Sequence, residues 1–181
     1  MLKNSKKKGL STRAIHAGQE PDKSTGAIMV PIYASSTYVQ QSPGKHKGYE
    51  YSRTQNPTRG AYEKCIASLE SGSYGFAFAS GMAAADTIIS LLSPGDEVIA
   101  IDDLYGGTRR LFEKVRKINS NISFNYLSYD KFDNIEDYLN SKTKMIWVET
   151  PTNPMLGLVN IEKLGKINKN IIKVVDNTFA S

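Results

Sequence analysis

In the run Lys173-Val174-Val175-Asp176-Asn177-Thr178, Asp176 follows two valines and delivers a carboxylate where a buried strand would end. A carboxylate held there can pair with a protonated ring nitrogen, the acidic partner that a pyridine-type electron sink requires. Three other groups have chemistry that fits the same ligand. Ser80-Gly81-Met82 precedes an amphipathic stretch; free N–H groups at a helix start attract anions, and glycine allows close approach. Tyr105, followed by Gly106 and Gly107, offers a ring that can lie flat against another ring. Asn153, in Glu149-Thr150-Pro151-Thr152-Asn153-Pro154, can donate to a phenolate oxygen. Each also has an ordinary structural reading: a helix start packed on small residues, a turn tyrosine, an Asn-Pro turn, a helix cap. Together they describe one planar, phosphorylated heteroaromatic ligand, which is the description of pyridoxal phosphate (PLP).

The elements that must position these groups follow from the apolar pattern. Short apolar runs occur at Gly75–Ala79, Glu97–Ile101, Ile122–Leu127, Met145–Val148 and Ile171–Val175. Amphipathic stretches lie between them at Ala83–Leu92, Thr108–Ile118, Ile135–Leu139 and Ile161–Ile167, with turn signals such as Pro94-Gly95-Asp96. This alternation predicts an α/β fold with a mostly parallel sheet and helices on both faces. In such sheets ligands bind beyond the carboxyl ends of the strands. Ser80, Tyr105, Asn153 and Asp176 each follow one of the apolar runs, so a single sheet edge would gather them.

The first 57 residues read differently. Gly18, Pro21, Gly26, Pro31, Pro43, Gly44 and Gly48 interrupt any long element. Such a segment is expected to wrap over another domain or subunit. Residues 1–57 are therefore assigned to a tail and arm making inter-subunit contacts, and residues 58–181 to the first part of a ligand-binding large domain. Asn56-Pro57 predicts a helix start, with Asn56 as N-cap and Pro57 in the first helical position, ending near Gly72. Within the arm, Arg53 has the fork geometry suited to phosphate and Tyr51 can add a hydroxyl, although a loop with incidental charges would look the same. Cys65 shares a helical face with Tyr62, Ile66 and Leu69 and is expected to be a small buried hydrophobe.

Composition narrows the class. The 181 residues are 40% hydrophobic and 23% charged, ordinary for a globular protein. No apolar run approaches the roughly 20 residues that span a bilayer, and the N-terminus lacks the apolar core of a secretory signal, so a cytoplasmic location is expected. Lys3, Lys6, Lys7, Lys8 and Arg13 against Glu20 place most of the net charge of +5 in the first 20 residues. That is a solvated tail rather than a stripe along the surface, and no nucleic-acid partner is expected. A single cysteine excludes an intrachain disulfide and a cysteine-rich metal site.

The ordered set Tyr51-Ser52-Arg53, Asn56-Pro57-Thr58-Arg59, Ser80-Gly81-Met82-Ala83-Ala84, Tyr105-Gly106-Gly107-Thr108, Glu149-Thr150-Pro151-Thr152-Asn153-Pro154 and Val174-Val175-Asp176-Asn177-Thr178-Phe179 resembles the Cys/Met-metabolism family of PLP enzymes. This transsulfuration group includes cystathionine γ-synthase, γ-lyase and β-lyase and methionine γ-lyase. The resemblance implies the fold-type I, aminotransferase-like architecture and a homo-oligomer, a tetramer built from tight dimers. It implies that Tyr51 and Arg53 reach the phosphate of a neighbouring subunit's cofactor, and that Gly81 and Met82 bind the phosphate through backbone N–H groups. Tyr105 would stack on the ring and act in proton transfer. Asn153 would lie near the ring oxygen, Asp176 would hold the ring nitrogen, Thr178 would support the cofactor, and Arg110 would serve the substrate side.

The implied reaction removes the α-proton of a small-molecule amino acid, delocalises the charge into the ring, and eliminates or replaces a β- or γ-substituent. Elimination or replacement of the γ-synthase or γ-lyase type is expected. Family members continue past the Asp-Asn-Thr motif to a lysine within Ser-x-Thr-Lys and a C-terminal domain. This chain stops at Ser181, and none of its lysines matches that position, so an N-terminal part, inactive alone, is expected. The alternatives are a non-catalytic PLP-binding or subunit-interaction protein, or cystathionine β-lyase- or methionine γ-lyase-type activity in the full-length chain.

Overall fold

The computed structural model describes residues 8–168 and 170–180. The expected basic tail at Lys3, Lys6 and Lys7 lies outside the described residues. The chain divides into two compact units between Ala79 and Ser80.

In the first unit, helix α1 (Leu10–His16) is followed by a small antiparallel hairpin of β1 (Gln40–Ser42) and β2 (Lys45–His46), then by helix α2 (Pro57–Leu69). The start of α2 is set by Asn56, whose side chain accepts the N–H groups of Thr58 and Arg59 at 2.8 and 3.1 Å. Pro57 follows at a position where a missing N–H costs nothing. At the other end, the Arg13 guanidinium donates to the carbonyls of Ser68 and Leu69, tying α1 to the last turn of α2. The buried residues of α2 are Ala61, Ala67 and Ser68. The expected face of Tyr62, Cys65, Ile66 and Leu69 is thus not the packed one: Tyr62 and Ile66 are exposed and Cys65 is half-buried. Small residues win because the neighbouring chain comes too close for large ones. Gly18, at φ +75°, lies so near the Ala61 carbonyl that a Cβ would collide with it.

The expected strand at Gly75–Ala79 does not form; the segment pairs with no strand among the described residues. Alternation records which side chains share a side but supplies no hydrogen-bonding neighbour. Tyr74 and Phe76 do share a side, exposed and stacked with centroids 6.5 Å apart. The Ala77 N–H instead donates to Glu63 Oε1 on α2 at 3.0 Å.

The second unit is a four-stranded parallel sheet. Its strands are β3 (Glu97–Ile101), β4 (Ser123–Leu127), β5 (Thr143–Glu149) and β6 (Ile172–Asp176), in the order β4-β3-β5-β6. Central β3 and β5 are almost wholly buried, whereas the edge strands are half-covered, which is why the central ones read as continuous apolar runs. Helix α3 (Gly81–Ile89) precedes β3. Helix α4 (Gly106–Arg110), a wider π-helical turn (Leu111–Arg116) and helix α5 (Lys117–Ser120) form the β3–β4 crossover. Helix α6 (Tyr129–Phe132) and a 3₁₀ turn (Ile135–Tyr138) connect β4 to β5, and helix α7 (Ile161–Lys166) connects β5 to β6. The expected helix at Ile135–Leu139 is thus one short turn.

Phe112 and Trp147, both buried, meet edge to face at 5.3 Å, and Phe112 stacks on Phe124 at 4.5 Å. Arg116 ties this crossover to α3 through Asp86, with Nε 2.7 Å from Oδ1. From β3 the chain crosses to β4 on one side and then returns to β5 on the other. Right-handed crossovers running in opposite directions place their helices on opposite faces, and the reversal creates a topological switch point between the carboxyl ends of β3 and β5. No helix among the described residues is long and apolar enough to cross a membrane.

Candidate functional site

At the switch point, the loop after β3 meets the loop after β5. The link is Glu149, the last residue of β5, which is only 4% exposed. Its Oε2 accepts the Tyr105 N–H at 2.7 Å, and its Oε1 accepts the Asn153 N–H at 2.8 Å. Burial pushes the Glu149 carboxyl above its ordinary range, opposed by these two N–H bonds and reinforced by the charges of Asp176 and Asp103.

The Tyr105 ring lies back over the helix that follows it. A Cβ on Gly107 would collide with the Tyr105 ring and come within 3.1 Å of Met82 Sδ. Glycine at 107 therefore lets the ring settle beside the start of α3, and the ring is still 46% exposed. Ser80 caps α3, its hydroxyl accepting the Ala83 N–H at 3.1 Å. The N–H groups of Gly81 and Met82 have no acceptor among the described residues. Arg110 is exposed, with Nη1 folded back to within 3.3 Å of where a Cβ on Gly106 would stand.

The next strand end supplies Asp176, paired in register with Glu149. The Thr150 N–H donates to the Asp176 carbonyl at 3.0 Å, and the Asn177 amide donates to the Thr150 carbonyl. Asp176 Oδ1 accepts the Thr178 hydroxyl at 2.6 Å and its N–H at 3.2 Å. The other carboxylate oxygen accepts nothing among the described residues. Behind it, the loop carrying Asn153 is fixed by buried Thr152. Its hydroxyl donates to Asp103 at 2.6 Å and accepts the Gly157 N–H at 2.8 Å, with the Tyr129 hydroxyl 2.9 Å away. Burial raises the Tyr129 phenol above its ordinary value. The peptide bonds before Pro151 and Pro154 are both cis.

Of the expected residues, the second unit thus brings Gly81, Met82, Tyr105, Asn153, Asp176 and Thr178 to one edge of the sheet. Tyr51 and Arg53 belong to the first unit. There Arg53 lies 5.0 Å over the Tyr51 ring, and the carbonyls of Ser52, Arg53 and Thr54 are gathered by the Arg59 guanidinium at 3.3, 3.2 and 2.7 Å. Glu149, Thr152, Asp103, Gly107 and Arg59 are supporting residues that the motifs did not assign. The available signal was a charged or polar residue set directly against an apolar run. The spelling Ser-x-Thr-Lys does occur, at Ser141-Lys142-Thr143-Lys144, but it opens β5 at the opposite end of the sheet from this edge.

The sequence model of the Cys/Met metabolism PLP-dependent enzyme family matches residues 11–181. The chain belongs to this family. It is 57% identical to cystathionine β-lyase of Coxiella burnetii over 180 residues, 98% of this chain and 46% of that one. It is 47% identical to a probable cystathionine γ-synthase of Herpetosiphon aurantiacus over 96% of this chain and 54% of the relative. Among solved structures, cystathionine γ-lyase of Lactobacillus plantarum complexed with L-serine superposes with a TM-score of 0.90 at 45% identity, over 96% of this chain and 46% of that one. This Cys/Met-family chain therefore spans about half the length of the relatives it matches. Its parallel α/β unit has the architecture of that PLP-dependent group.

Proposed function

We propose that this family member takes part in transsulfuration, acting at the carbon–sulfur bonds of sulfur amino acids with pyridoxal phosphate as cofactor. The single observation that carries this reading is the set of unused groups at the switch point. Among the described residues, the N–H groups of Gly81 and Met82 and one oxygen of Asp176 have no partner, and the Tyr105 ring is half-open. A planar, phosphorylated pyridinium has one partner for each, so the residues present fit the cofactor.

When bound, pyridoxal phosphate supplies an electron sink that stabilises a carbanion next to the amino acid's α-carbon. Each residue then has a definite task. Gly81 and Met82 bind the phosphate, and the start of α3 adds its positive end. Tyr105 covers the ring face and is placed to exchange a proton at its hydroxyl. Asp176 holds the proton on the ring nitrogen, and Thr178 fixes the direction of its carboxylate through Oδ1. Asn153 donates to the ring oxygen. Arg110 serves the substrate side of the pocket. Tyr51 and Arg53 contribute to the phosphate of a second copy of the chain, in a homo-oligomer joined through the 1–57 arm. Exposed Ile28, Met29, Ile32 and Val39 on that arm favour this role, because covering apolar surface of this extent is favourable. Residues 58–181 are then the first part of the cofactor-binding domain. A cytoplasmic location belongs to the same reading.

The reaction is of the γ-synthase or γ-lyase type, with β-lyase as the second reading because of the 57% identity to a cystathionine β-lyase. Two measurements test this. Titration of the protein with pyridoxal phosphate should give saturable binding that Asp176→Ala weakens about a hundredfold, as expected when a charged hydrogen-bond partner is removed. Equal binding by the variant would sink the site assignment. Cystathionine presented to the full-length protein should give cysteine, 2-oxobutanoate and ammonia for γ-elimination. Homocysteine and pyruvate would establish the β-lyase reading instead.

A further inference from the structure

Glu149 stands out as a buried carboxylate that touches no cation. None of the described lysines, arginines or histidines pairs with it, and both of its oxygens are spent on main-chain N–H groups. Burying an unpaired charge is costly. An apolar residue would end β5 at lower cost, so the carboxylate must do something an apolar side chain cannot. It joins two loops that leave adjacent strands. One carries Tyr105 and the other carries Asn153. The two N–H groups point at oxygens about a carboxylate's width apart, a geometry that neither a glutamine amide, with its own donor, nor a shorter acid reproduces.

We propose that Glu149 is a positioning residue of the cofactor site, fixing the Tyr105 ring and the Asn153 amide relative to one another through these two N–H bonds. The proposal rests on the reading of this edge as a pyridoxal phosphate site. Tyr105 lies against Gly107 and Met82, so a shift of its main chain moves the ring relative to the α3 start. Asn153 sits between two proline peptides, so its side-chain direction is inherited from its backbone. Glu149 also faces Asp176 across the β5–β6 register, which leaves the ring-nitrogen end of the site doubly acidic before a cationic ring arrives.

The test uses the full chain with pyridoxal phosphate as the probe, read by fluorescence titration and by the visible circular dichroism of the bound chromophore. Glu149→Gln should weaken binding about tenfold, in line with one buried N–H left unpaired, and should change the dichroism. In a Tyr105→Ala, Asn153→Ala background the same substitution should cost less than about twofold, because the groups it positions are gone. An undiminished tenfold loss in that background would show a merely structural role and overturn the proposal, as would unchanged affinity and dichroism in Glu149→Gln. Should the glutamine variant not fold, Glu149→Asp keeps the charge but withdraws it by one methylene; it should show the same loss, and wild-type binding by it overturns the proposal. Failure of the unsubstituted chain to bind pyridoxal phosphate would instead overturn the site reading, and this proposal with it.

Discussion

Side chains of like type meet opposite fates in the two units. Val98, Ile99 and Ile101 on β3 and Ile146 and Val148 on β5 are wholly buried, whereas Ile32 and Val39 of the first unit are 88% and 91% exposed. The second unit is organised around apolar contact, closed by Phe112 against Trp147 and Phe124. The first is organised around side chains that bond the backbone. Asn56 caps α2, Arg13 gathers its last carbonyls, and Arg59 holds the Ser52–Thr54 carbonyls. Asp22 accepts from Ser24, Thr25 and Tyr33, bonds that hold its carboxyl well below the usual range. The difference teaches that one unit carries its own apolar core while the other leaves much of its apolar surface exposed.

The largest expected effect breaks the apolar unit. Phe112→Ala should cost about 3–5 kcal/mol in urea unfolding, the usual range for deleting a buried aromatic ring; a loss under about 1 kcal/mol would mean the stacked core is not what holds the sheet. The counterpart in the other unit is polar. Arg59→Ala frees three carbonyls and should cost about 1–2 kcal/mol, seen as faster amide exchange and proteolysis across Tyr51–Thr54, with the sheet's exchange unchanged.

A pH experiment sharpens the contrast further. Glu149 has a raised carboxyl in the folded chain, with Asp176 and Asp103 as the charges it faces. As pH rises past 4.5 the unfolded chain ionises first, so the folded state loses stability from there up to the raised value. Glu149→Gln should flatten that decline, whereas Arg59→Ala should leave its slope intact. The smallest effect belongs to Ile32→Ala, expected within about 0.5 kcal/mol for folding, yet lowering self-association measured by sedimentation. A large folding loss there would erase the distinction between the units.

Four strands were legible because each is an apolar run bounded by turn residues, and β3 and β5 carry the strongest runs because both of their faces are covered. Gly75–Ala79 has the same local look but no neighbour to pair with, and pairing is not a local property. The switch to π geometry at Leu111–Arg116 was hidden for a similar reason, since Leu111 and Phe112 suit any helix. The meeting of Tyr105, Asn153 and Asp176 at one sheet edge could be read because each follows an apolar run that forms a strand. The supporting residues could not. Glu149 acquires its meaning only from the β3–β5 register, and Gly107 only from the fold-back of Tyr105. Thr152 needed the approach of Asp103 from 49 positions away.

The order β4-β3-β5-β6 has a consequence for synthesis on the ribosome. The chain emerging through Leu127 can pair β4 with β3, but the other edge of β3 stays bare until β5 arrives. Tyr105 therefore remains untethered until its acceptor, 44 residues later, has left the exit tunnel. At roughly 5–20 residues per second that is a delay of about 2–9 s. During this interval the growing chain displays an aromatic loop and an open strand edge, and the arrival of Glu149 tethers that loop.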